Sequence, residues 1–483
     1  MTQEILVNLT PRETRVALVE SGILQEVHLE RTRRRGLVGN IYLGEVRRVL
    51  PGMQAAFIDA GLERTAFLHV SDLSRDNGGT PPPIDRLIRE QQTLLVQVIK
   101  DPIGSKGARV TTQITVPSRY LVLTPRSSGI GVSTRIEDEG ERERLRRIAE
   151  GLPGGEPDGP GLIFRTAAEG ASEEALAADR AFLLRLWDAV RRRAEIAQPG
   201  TLVHEDLPLL LRAMRDLATH DLERVRVDSR EGYQRLQAFC RDLLPHFAER
   251  IELYTGERPI FDLYGVEEEI ERAHARRVEL KSGGYLIIDQ TEAMTTVDVN
   301  TGGFVGNRNV NETIFKTNLE AAQAIARQLR LRNIGGIIIV DFIDMSDPEH
   351  RRQVLRALEK ALERDHAKTQ IGAVSSLGLV EMTRKRTRES LEQLTCEPCP
   401  TCGGRGTVKT SETVVYEIFR EVLREVQQFE AQRIIILAAP SVVEVLLDEE
   451  SSSLAQLEEF IGRPIELQVE SLYVADQYDV IPV

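Results

Sequence analysis

The chain has 483 residues, enough for about three domains of ordinary size with real cores. Its 41% apolar and 28% charged residues are typical of a globular protein and exclude a mainly disordered chain. Of the formal net charge of −13, residues 407–483 carry −10 (5 Lys and Arg against 15 Asp and Glu), so overall acidity does not exclude a nucleic-acid-binding groove elsewhere.

Cysteine use and the N-terminus indicate the compartment. Four cysteines are too few for a disulfide scaffold, and three of them cluster at 396, 399 and 402. The N-terminus alternates apolar and polar residues and lacks the basic stretch and apolar core of a signal peptide. No apolar run reaches the roughly 18 residues that a membrane-spanning helix needs. We therefore expect a soluble, cytoplasmic protein without a transmembrane segment.

The first part of the chain consists of short alternating segments separated by turn signals. Residues 3–31 predict a β-meander. Five short segments within 39–116 predict strands that close into a small OB-type barrel. Residues 117–201 begin with the strand YLVLTP and end in a helix around FLLRLWDAVRRRAEIA, which is the pattern of a small α+β unit.

The middle of the chain contains a strand–helix–strand pattern. Residues 280–300 predict two strands joined by a turn at Asp289-Gln290, and residues 311–332 predict a helix. The apolar run IIIVDF at 337–342 follows the helix directly and predicts a buried strand. Because such a crossover is right-handed, the strands before and after the helix should be parallel.

Two aspartates follow the apolar parts of these strands. Asp298 comes after TTV and Asp341 after IIIV, so both should lie at the carboxyl edge of one sheet, where open α/β sheets bind ligands. Neighbouring carboxylates repel unless a proton or cation lies between them, and their hard oxygens favour Mg²⁺. Asn300 should face the same way as Asp298. The structural alternative is that each aspartate only caps a turn or helix.

The segment Cys396-Glu-Pro-Cys399-Pro-Thr-Cys402-Gly-Gly-Arg-Gly has the cysteine spacing of a zinc knuckle. A structural zinc site needs four ligands, and Cys240 and His366 are remote in sequence. We therefore predict that two chains each contribute Cys399 and Cys402 to one shared zinc ion, which would make the metal a dimer clasp. A redox CxxC and free thiols are the alternatives. Cys240 is expected in a core.

Several long segments resemble the ribonuclease E/G family, and the similarity covers essentially the whole chain. They are GNIYLGEVRRVLPGMQAAFIDAG, RTAFLHVSDL, TTVDVNTGGF, NLEAAQAIARQLRLRNIGGIIIVDFIDM and CPTCGGRGTVKT. The chain resembles the shorter members of the family because it lacks a long Pro- and Arg-rich extension. The resemblance implies an endoribonuclease that cuts single-stranded RNA with Mg²⁺ on Asp298 and Asp341 and with Asn300 beside them. It also implies roles in rRNA and tRNA processing and in mRNA decay.

The resemblance further implies a multidomain α/β plus α+β fold, in which an OB-fold barrel and a 5′-sensor are inserted into an RNase H-like domain. The implied domains are the RNase H-like domain (1–35 and 202–275), the OB-fold RNA-binding domain (36–116), the 5′-end sensor (117–201), the DNase I-like catalytic domain (276–392), the zinc link (393–406) and a small C-terminal domain (407–483).

Three barrel residues match RNA contacts of the family: the aromatic Phe57 and Phe67 and the basic Lys106. Base stacking on rings tolerates any sequence, which suits a general RNA-binding surface. The alternative is that Phe57 and Phe67 are barrel-core residues and that Lys106 is a solvated loop lysine.

In the implied sensor, Arg165 and Thr166 match the pocket for a 5′-terminal monophosphate, and Val122 packs beside it. A guanidinium can bind a phosphate through two hydrogen bonds. Ser118 stands where ribonuclease E has a glycine, which leaves the shape of the pocket open. A basic run nearer the zinc link is either a solvated face or a guide for the RNA backbone; it comprises Arg384, Lys385, Arg386 and Arg388.

The main prediction is thus a Mg²⁺-dependent endoribonuclease that acts on single-stranded RNA and forms a homodimer or higher homo-oligomer. The first alternative is a non-catalytic RNA-binding adaptor built on the barrel. The second is a thiol oxidoreductase built on CxxC, which would work without Mg²⁺.

Overall fold

The N-terminal strands and a later part of the chain share one five-stranded sheet. The computed structural model describes residues 2–33, 35–73, 82–102, 106–152, 159–218, 221–303, 310–386 and 388–483. The chain divides into two compact units, Met1–Leu394 and Thr395–Val483. The sheet order is Ile251–Leu253, Leu222–Val227, Gln3–Leu9, Glu13–Glu20, Ile23–Arg31.

The strands Gln3–Leu9, Glu13–Glu20 and Ile23–Arg31 pair antiparallel in sequence order, so the predicted meander is confirmed. Both faces of the sheet are covered by helices because its strands are apolar on both sides. Cys240 is fully buried in the core on one face, as predicted. The covering helices are Leu209–Leu217, Arg230–Leu243, Pro245–Ala248, Ile260–Leu263 and Val266–His274.

The predicted five-stranded barrel is confirmed. Its strands are Ile41–Leu50, Ala55–Asp59, Ala66–His69, Arg109–Thr111 and Thr93–Lys100, in that order around the barrel, and the last pairs again with the first. Its helical segments are Pro51–Met53, Val70–Asp72 and Ile84–Leu87. The strand Thr201–His204 pairs with Ile41–Leu50, so the residues at the expected boundary of 201/202 extend the barrel sheet and not the N-terminal sheet.

A four-stranded sheet follows the barrel. Its order is Ile130–Val132, Gly161–Phe164, Leu121–Thr124, Val116–Pro117, and the helices Glu139–Gly151 and Glu173–Ile196 pack against it, with the short turn Thr166–Ala168 between them. The division of residues 1–394 into named domains stays a prediction, whereas a mixed α/β architecture with a closed barrel is what the chain adopts.

The sheet that carries the aspartates has six strands and two covering helices. Its order is Arg277–Glu279, Tyr285–Gln290, Met294–Asn300, Gly336–Asp341, Leu379–Arg384, Thr369–Val374. The helices Val310–Leu331 and Pro348–Leu362 bury one face. Asp289 and Gln290, expected in a turn, instead end their strand and pair with Thr296 and Thr295. The chain turns at 291–293, and the Thr291 hydroxyl stabilises this turn by donating a hydrogen bond to the Met294 carbonyl.

The second unit has a three-stranded sheet in the order Ile465–Val469, Ile434–Ala438, Tyr478–Pro482. Its helices are Ser411–Gln428, Pro440–Leu447 and Ser451–Ile461, and the short helix Leu391–Thr395 precedes it. Among the residues described in both units, no helix is long and apolar enough to cross a membrane.

Candidate active site

Asp298 and Asp341 are direct neighbours in the six-stranded sheet. The strands Met294–Asn300 and Gly336–Asp341 are parallel, and their register places Asp298 opposite Asp341. Adjacent strands lie about 4.8 Å apart, so the two aspartates are about that far apart at the backbone, and their side chains project from the same face of the sheet. The adjacent Val297, Val299 and Val340 are buried under the two helices, and both aspartates are exposed. The predicted parallel pairing is therefore confirmed.

The side chains around Asp298 and Asp341 interact through a hydrogen bond and through their charges. Asn300 lies on the same face as Asp298, and its Nδ2 donates a hydrogen bond of 2.9 Å to Asp298 Oδ2. Partial burial, and then the negative charges of Asp298 and Asp344, raise the pKa of Asp341. Asp344 is a third carboxylate that the sequence interpretation missed. The segment VDFIDM carries the signal, because its second aspartate follows Asp341 by only three residues and so stays near the same edge of the sheet.

A buried asparagine holds the loop after Asp341. Asn318 lies in the helix Val310–Leu331 and is fully buried. Its Nδ2 donates to the Ile343 carbonyl at 2.8 Å, and its Oδ1 accepts from the Ile343 N–H at 3.1 Å. Asp347 then caps the next helix by accepting from Glu349 N–H at 2.8 Å. The loop that carries Asp344 is thus fixed at both ends.

The donor set suits a hard divalent cation. Mg²⁺ is usually bound through one or two carboxylates, with waters and substrate phosphates as its other ligands. Asp298 and Asp341 supply two carboxylates, and Asp344 adds negative charge beside them. Across the described part of the chain, no group of three or more His, Cys, Asp and Glu side chains forms a metal cage. The paired aspartates fit Mg²⁺ because that ion does not require such a cage.

Phe57 and Phe67 point outward from the barrel. They are directly opposed on neighbouring strands, with ring centroids 6.3 Å apart in an edge-to-face arrangement. Ala56, Ile58 and Leu68 alternate with them and fill the core, whereas both rings are only partly buried. The alternative that these rings belong to the barrel core is therefore wrong, because the strand alternation directs them outward.

Two arginines that the sequence interpretation missed extend this pair of rings. Arg48 is opposite Phe57, and Arg109 is opposite Phe67. Arg48 is exposed, whereas Arg109 is bound to Asp72 at 2.7 Å. A row of Arg, Phe, Phe and Arg thus crosses four strands on the outer face of the barrel. Only strand register could reveal it, because the four residues are far apart in sequence.

Lys106 is exposed and lies in the loop that leads into the barrel strand Arg109–Thr111. The neighbouring Gly107 packs against the chain so closely that a Cβ atom would lie 2.1 Å from the Thr65 carbonyl oxygen. This close approach positions the backbone beside Lys106, and a larger residue at 107 would displace it.

Arg165 is held at the end of the strand Gly161–Phe164. Its Nη1 donates to the Ser118 carbonyl at 2.5 Å, and its Nη2 donates to Asp216 at 2.7 Å. Burial opposes the charge of Asp216, but Arg215 and Arg165 hold the pKa of its carboxyl well below the usual range. The Arg165 side chain remains 27% exposed, so these partners do not enclose it fully.

The other residues predicted or considered for the sensor pocket are Thr166, Val122 and Ser118. Thr166 is exposed, and its hydroxyl lies 3.1 Å from that of Ser133. Val122 lies in the next strand, opposite Ile163. The hydroxyl of Ser118 donates to the buried Asp179 at 2.5 Å, while its carbonyl accepts from Arg165. The serine side chain is therefore committed to Asp179.

The basic run near the predicted zinc link is only partly exposed. Arg384 is buried and bound to Asp365, and burial lowers the pKa of Arg388 to about 10. The interpretation of the whole run as a solvated face or RNA guide is thus wrong for Arg384, which faces the protein interior, whereas Arg388 is half-buried. Lys385 is exposed and Arg386 is half-buried.

The cysteines lie in a loop of the second unit. Cys396 and Cys399 are exposed, Cys402 is partly buried, and none of the three is joined in a disulfide. The backbone N–H groups of Cys402 and Thr401 lower the pKa of Cys399, and Gly406 N–H lies 3.4 Å from the Cys402 sulfur. The helix Ser411–Gln428 begins well after the motif, so its N-terminus does not lie at these thiols.

A closed barrel with outward aromatic rings, combined with a sheet edge that carries paired carboxylates, defines a multidomain α/β protein with a candidate metal-binding site. Two family sequence models match the chain: Ribonuclease E/G family over residues 115–387, and RNase E/G, Thioredoxin-like domain over residues 398–482. The chain belongs to the ribonuclease E/G family, as its motifs predicted.

Individual relatives support this assignment. The chain is 55% identical to Ribonuclease G of Escherichia coli (strain K12), with 100% of both chains covered. It is 51% identical to Ribonuclease G of Haemophilus influenzae, with 99% of both covered. Identity to Ribonuclease E of Escherichia coli (strain K12) is 38% over 94% of this chain and 44% of that protein. The predicted similarity to the shorter members is confirmed.

Proposed function

We propose that the chain is a Mg²⁺-dependent endoribonuclease of the cytoplasm that cuts single-stranded RNA and favours 5′-monophosphorylated ends. Its membership of the ribonuclease E/G family makes it an endoribonuclease. We further propose that it acts in rRNA and tRNA processing and mRNA decay, as a homodimer or higher homo-oligomer whose subunits share zinc through Cys399 and Cys402.

The observation that supports catalysis is the register of Asp298 opposite Asp341 on an exposed sheet face. These two carboxylates would hold Mg²⁺, and Asn300 would keep Asp298 oriented through its hydrogen bond. Mg²⁺ bound there supplies activation of a water and stabilisation of the charge that develops on the phosphate. Hydrolysis that breaks the bond between phosphorus and the 3′ oxygen leaves a 5′-phosphate and a 3′-hydroxyl.

Substrate binding is assigned to residues of the barrel and of the four-stranded sheet that follows it. Phe57 and Phe67 would stack bases of a single strand, and Lys106 would contact its backbone. Arg165 would bind a terminal 5′-phosphate, with Thr166 as a hydroxyl donor and Val122 as an apolar contact. Asp216 supports this assignment because it fixes the guanidinium while leaving part of it exposed.

The test is cleavage of an end-labelled single-stranded RNA with Mg²⁺ and with EDTA. Asp298→Asn and Asp341→Asn should each abolish cleavage while leaving the RNA dissociation constant, measured by fluorescence polarisation, within about twofold. Glu381→Gln is a matched control because Glu381 is an exposed carboxylate on the adjacent strand, and it should remain active. Binding that falls in step with activity would contradict the metal role, and no cleavage by the parent protein would favour the adaptor alternative.

A further inference from the structure

A stacked arginine–tyrosine pair lies beside the carboxylates on the same open sheet face. Tyr285 is directly opposite Asn300, and Ile287 is directly opposite Asp298, in the antiparallel pairing of their strands. A Cβ atom added at Gly302 would lie 3.5 Å from Tyr285 Cδ1, so the ring contacts the segment that follows Asn300. The tyrosine therefore borders the candidate active site.

Arg277 covers this ring. Its guanidinium carbon lies 3.9 Å from the centroid of Tyr285. Its Nε donates to Glu279 Oε1 at 2.7 Å, which fixes the plane of the guanidinium. The side chain nevertheless remains 55% exposed. An exposed cation–π contact contributes only about 0.5–1 kcal/mol, so fold stability alone accounts for little of this arrangement.

The position and chemistry of the pair match a nucleobase subsite. Arg277 is opposite Ile287, which is opposite Asp298, so the three residues form one row across three strands. With strands about 4.8 Å apart, Arg277 and Asp298 are about 10 Å apart at the backbone. Bases splayed from a single strand stack on aromatic rings and on guanidinium planes. The positive charge of Arg277 also complements the RNA backbone.

We propose that Arg277, supported by Tyr285, is a stacking platform for the nucleobase adjacent to the scissile phosphate. This inference rests on the proposed endoribonuclease function and adds a positioning subsite to it. The platform fixes the nucleotide next to the cut. Cleavage should then depend on the base at that one position.

The test combines protein variants with RNA that lacks one base at each position flanking the cleavage site. In the parent protein, loss of the stacked base should lower kcat/KM by at least about fivefold, equivalent to about 1 kcal/mol. Arg277→Ala and Tyr285→Ala should lower kcat/KM similarly on intact RNA and be insensitive to the missing base. Tyr285→Phe should behave like the parent, because the ring remains.

Arg276→Ala is the matched control. Arg276 is the exposed neighbour of Arg277 but pairs with Asp289, so this variant removes the same charge without removing the platform. It should keep the parent's dependence on the flanking base. A second readout uses the Asp341→Asn protein and an RNA with 2-aminopurine at the flanking position. The fluorescence of the 2-aminopurine should change when this RNA binds, and the double variant Arg277→Ala with Asp341→Asn should not cause that change.

The two proposals fail in different ways. No Mg²⁺-dependent cleavage by the parent protein would contradict the function itself. The platform would be overturned if the parent protein cleaves normally and the missing base lowers kcat/KM equally in the parent protein and in Arg277→Ala. Should Tyr285→Ala fail to fold, Arg277→Ala and the modified RNAs still decide the question.

Discussion

Replacing Arg384 by alanine should destabilise the protein and leave RNA binding by the folded protein unchanged. Arg384 and Asp365 form a buried, two-point ion pair, with side chains 6% and 2% exposed and N–O distances of 2.6 and 3.0 Å. A third donor of Arg384 binds the Ile334 carbonyl at 2.8 Å. Removing the cation leaves Asp365 buried without its partner, which costs about 3–5 kcal/mol.

The expected shift in melting temperature follows from the size of the first unit. At about 2.1 cal/mol/K per residue, unfolding of the 394 residues of Met1–Leu394 has an entropy of about 0.8 kcal/mol/K. A loss of 3–5 kcal/mol then lowers the midpoint by about 4–6 °C if this unit unfolds cooperatively. Differential scanning calorimetry measures the shift, and fluorescence polarisation measures RNA affinity below the transition.

Two variants serve as controls. Lys385→Ala removes an exposed charge from the adjacent residue, so it should leave the midpoint within about 1 °C. The double variant Arg384→Met with Asp365→Leu removes both charges together and should recover most of the lost stability, because apolar replacements often match a buried ion pair. An Arg384→Ala protein with an unchanged midpoint and weakened RNA binding would refute the structural role.

Three other predictions concern RNA binding, end recognition and assembly. Arg165→Ala should slow cleavage of a 5′-monophosphorylated RNA to the rate of its 5′-hydroxyl counterpart and leave the latter unchanged; equal slowing of both in a time course would contradict end recognition. Phe57→Ala should weaken single-stranded RNA binding about 5- to 150-fold, the equivalent of about 1–3 kcal/mol of stacking, whereas Phe57→Tyr should retain it in the same titration. Cys399→Ser and Cys402→Ser should each give zinc-poor protein that dissociates in analytical ultracentrifugation, while Cys396→Ser keeps both metal and oligomer; one full zinc per chain in the parent protein would contradict the shared site.

The pairing of the two aspartates could be predicted because it depends on local patterns. An apolar strand, a helix of crossover length and a second apolar strand permit one parallel arrangement, and that arrangement fixes where Asp298 and Asp341 meet. The five barrel strands were likewise readable from alternation and turns. In each case the signal lies within a few tens of residues.

Contacts between distant segments could not be predicted in this way. Arg384 ends a strand in which apolar and polar residues alternate. Its burial depends on an ion pair with Asp365, which lies just after the helix Pro348–Leu362. A charge in a basic run looks solvated until its partner is known. The row formed by Arg48, Phe57, Phe67 and Arg109 likewise depends on register across four strands, which the sequence does not specify.

The six-stranded sheet explains how one element combines stability with an accessible site. Its buried face packs Val297, Ile338 and Val340 against two helices, which fixes the register of the strands. Alternation then projects Asp298 and Asp341 onto the opposite, exposed face without any contribution from loops. A shift of the strand register by one residue would bury both carboxylates and expose the valines. The packing that stabilises the sheet therefore also keeps the two carboxylates on its exposed face.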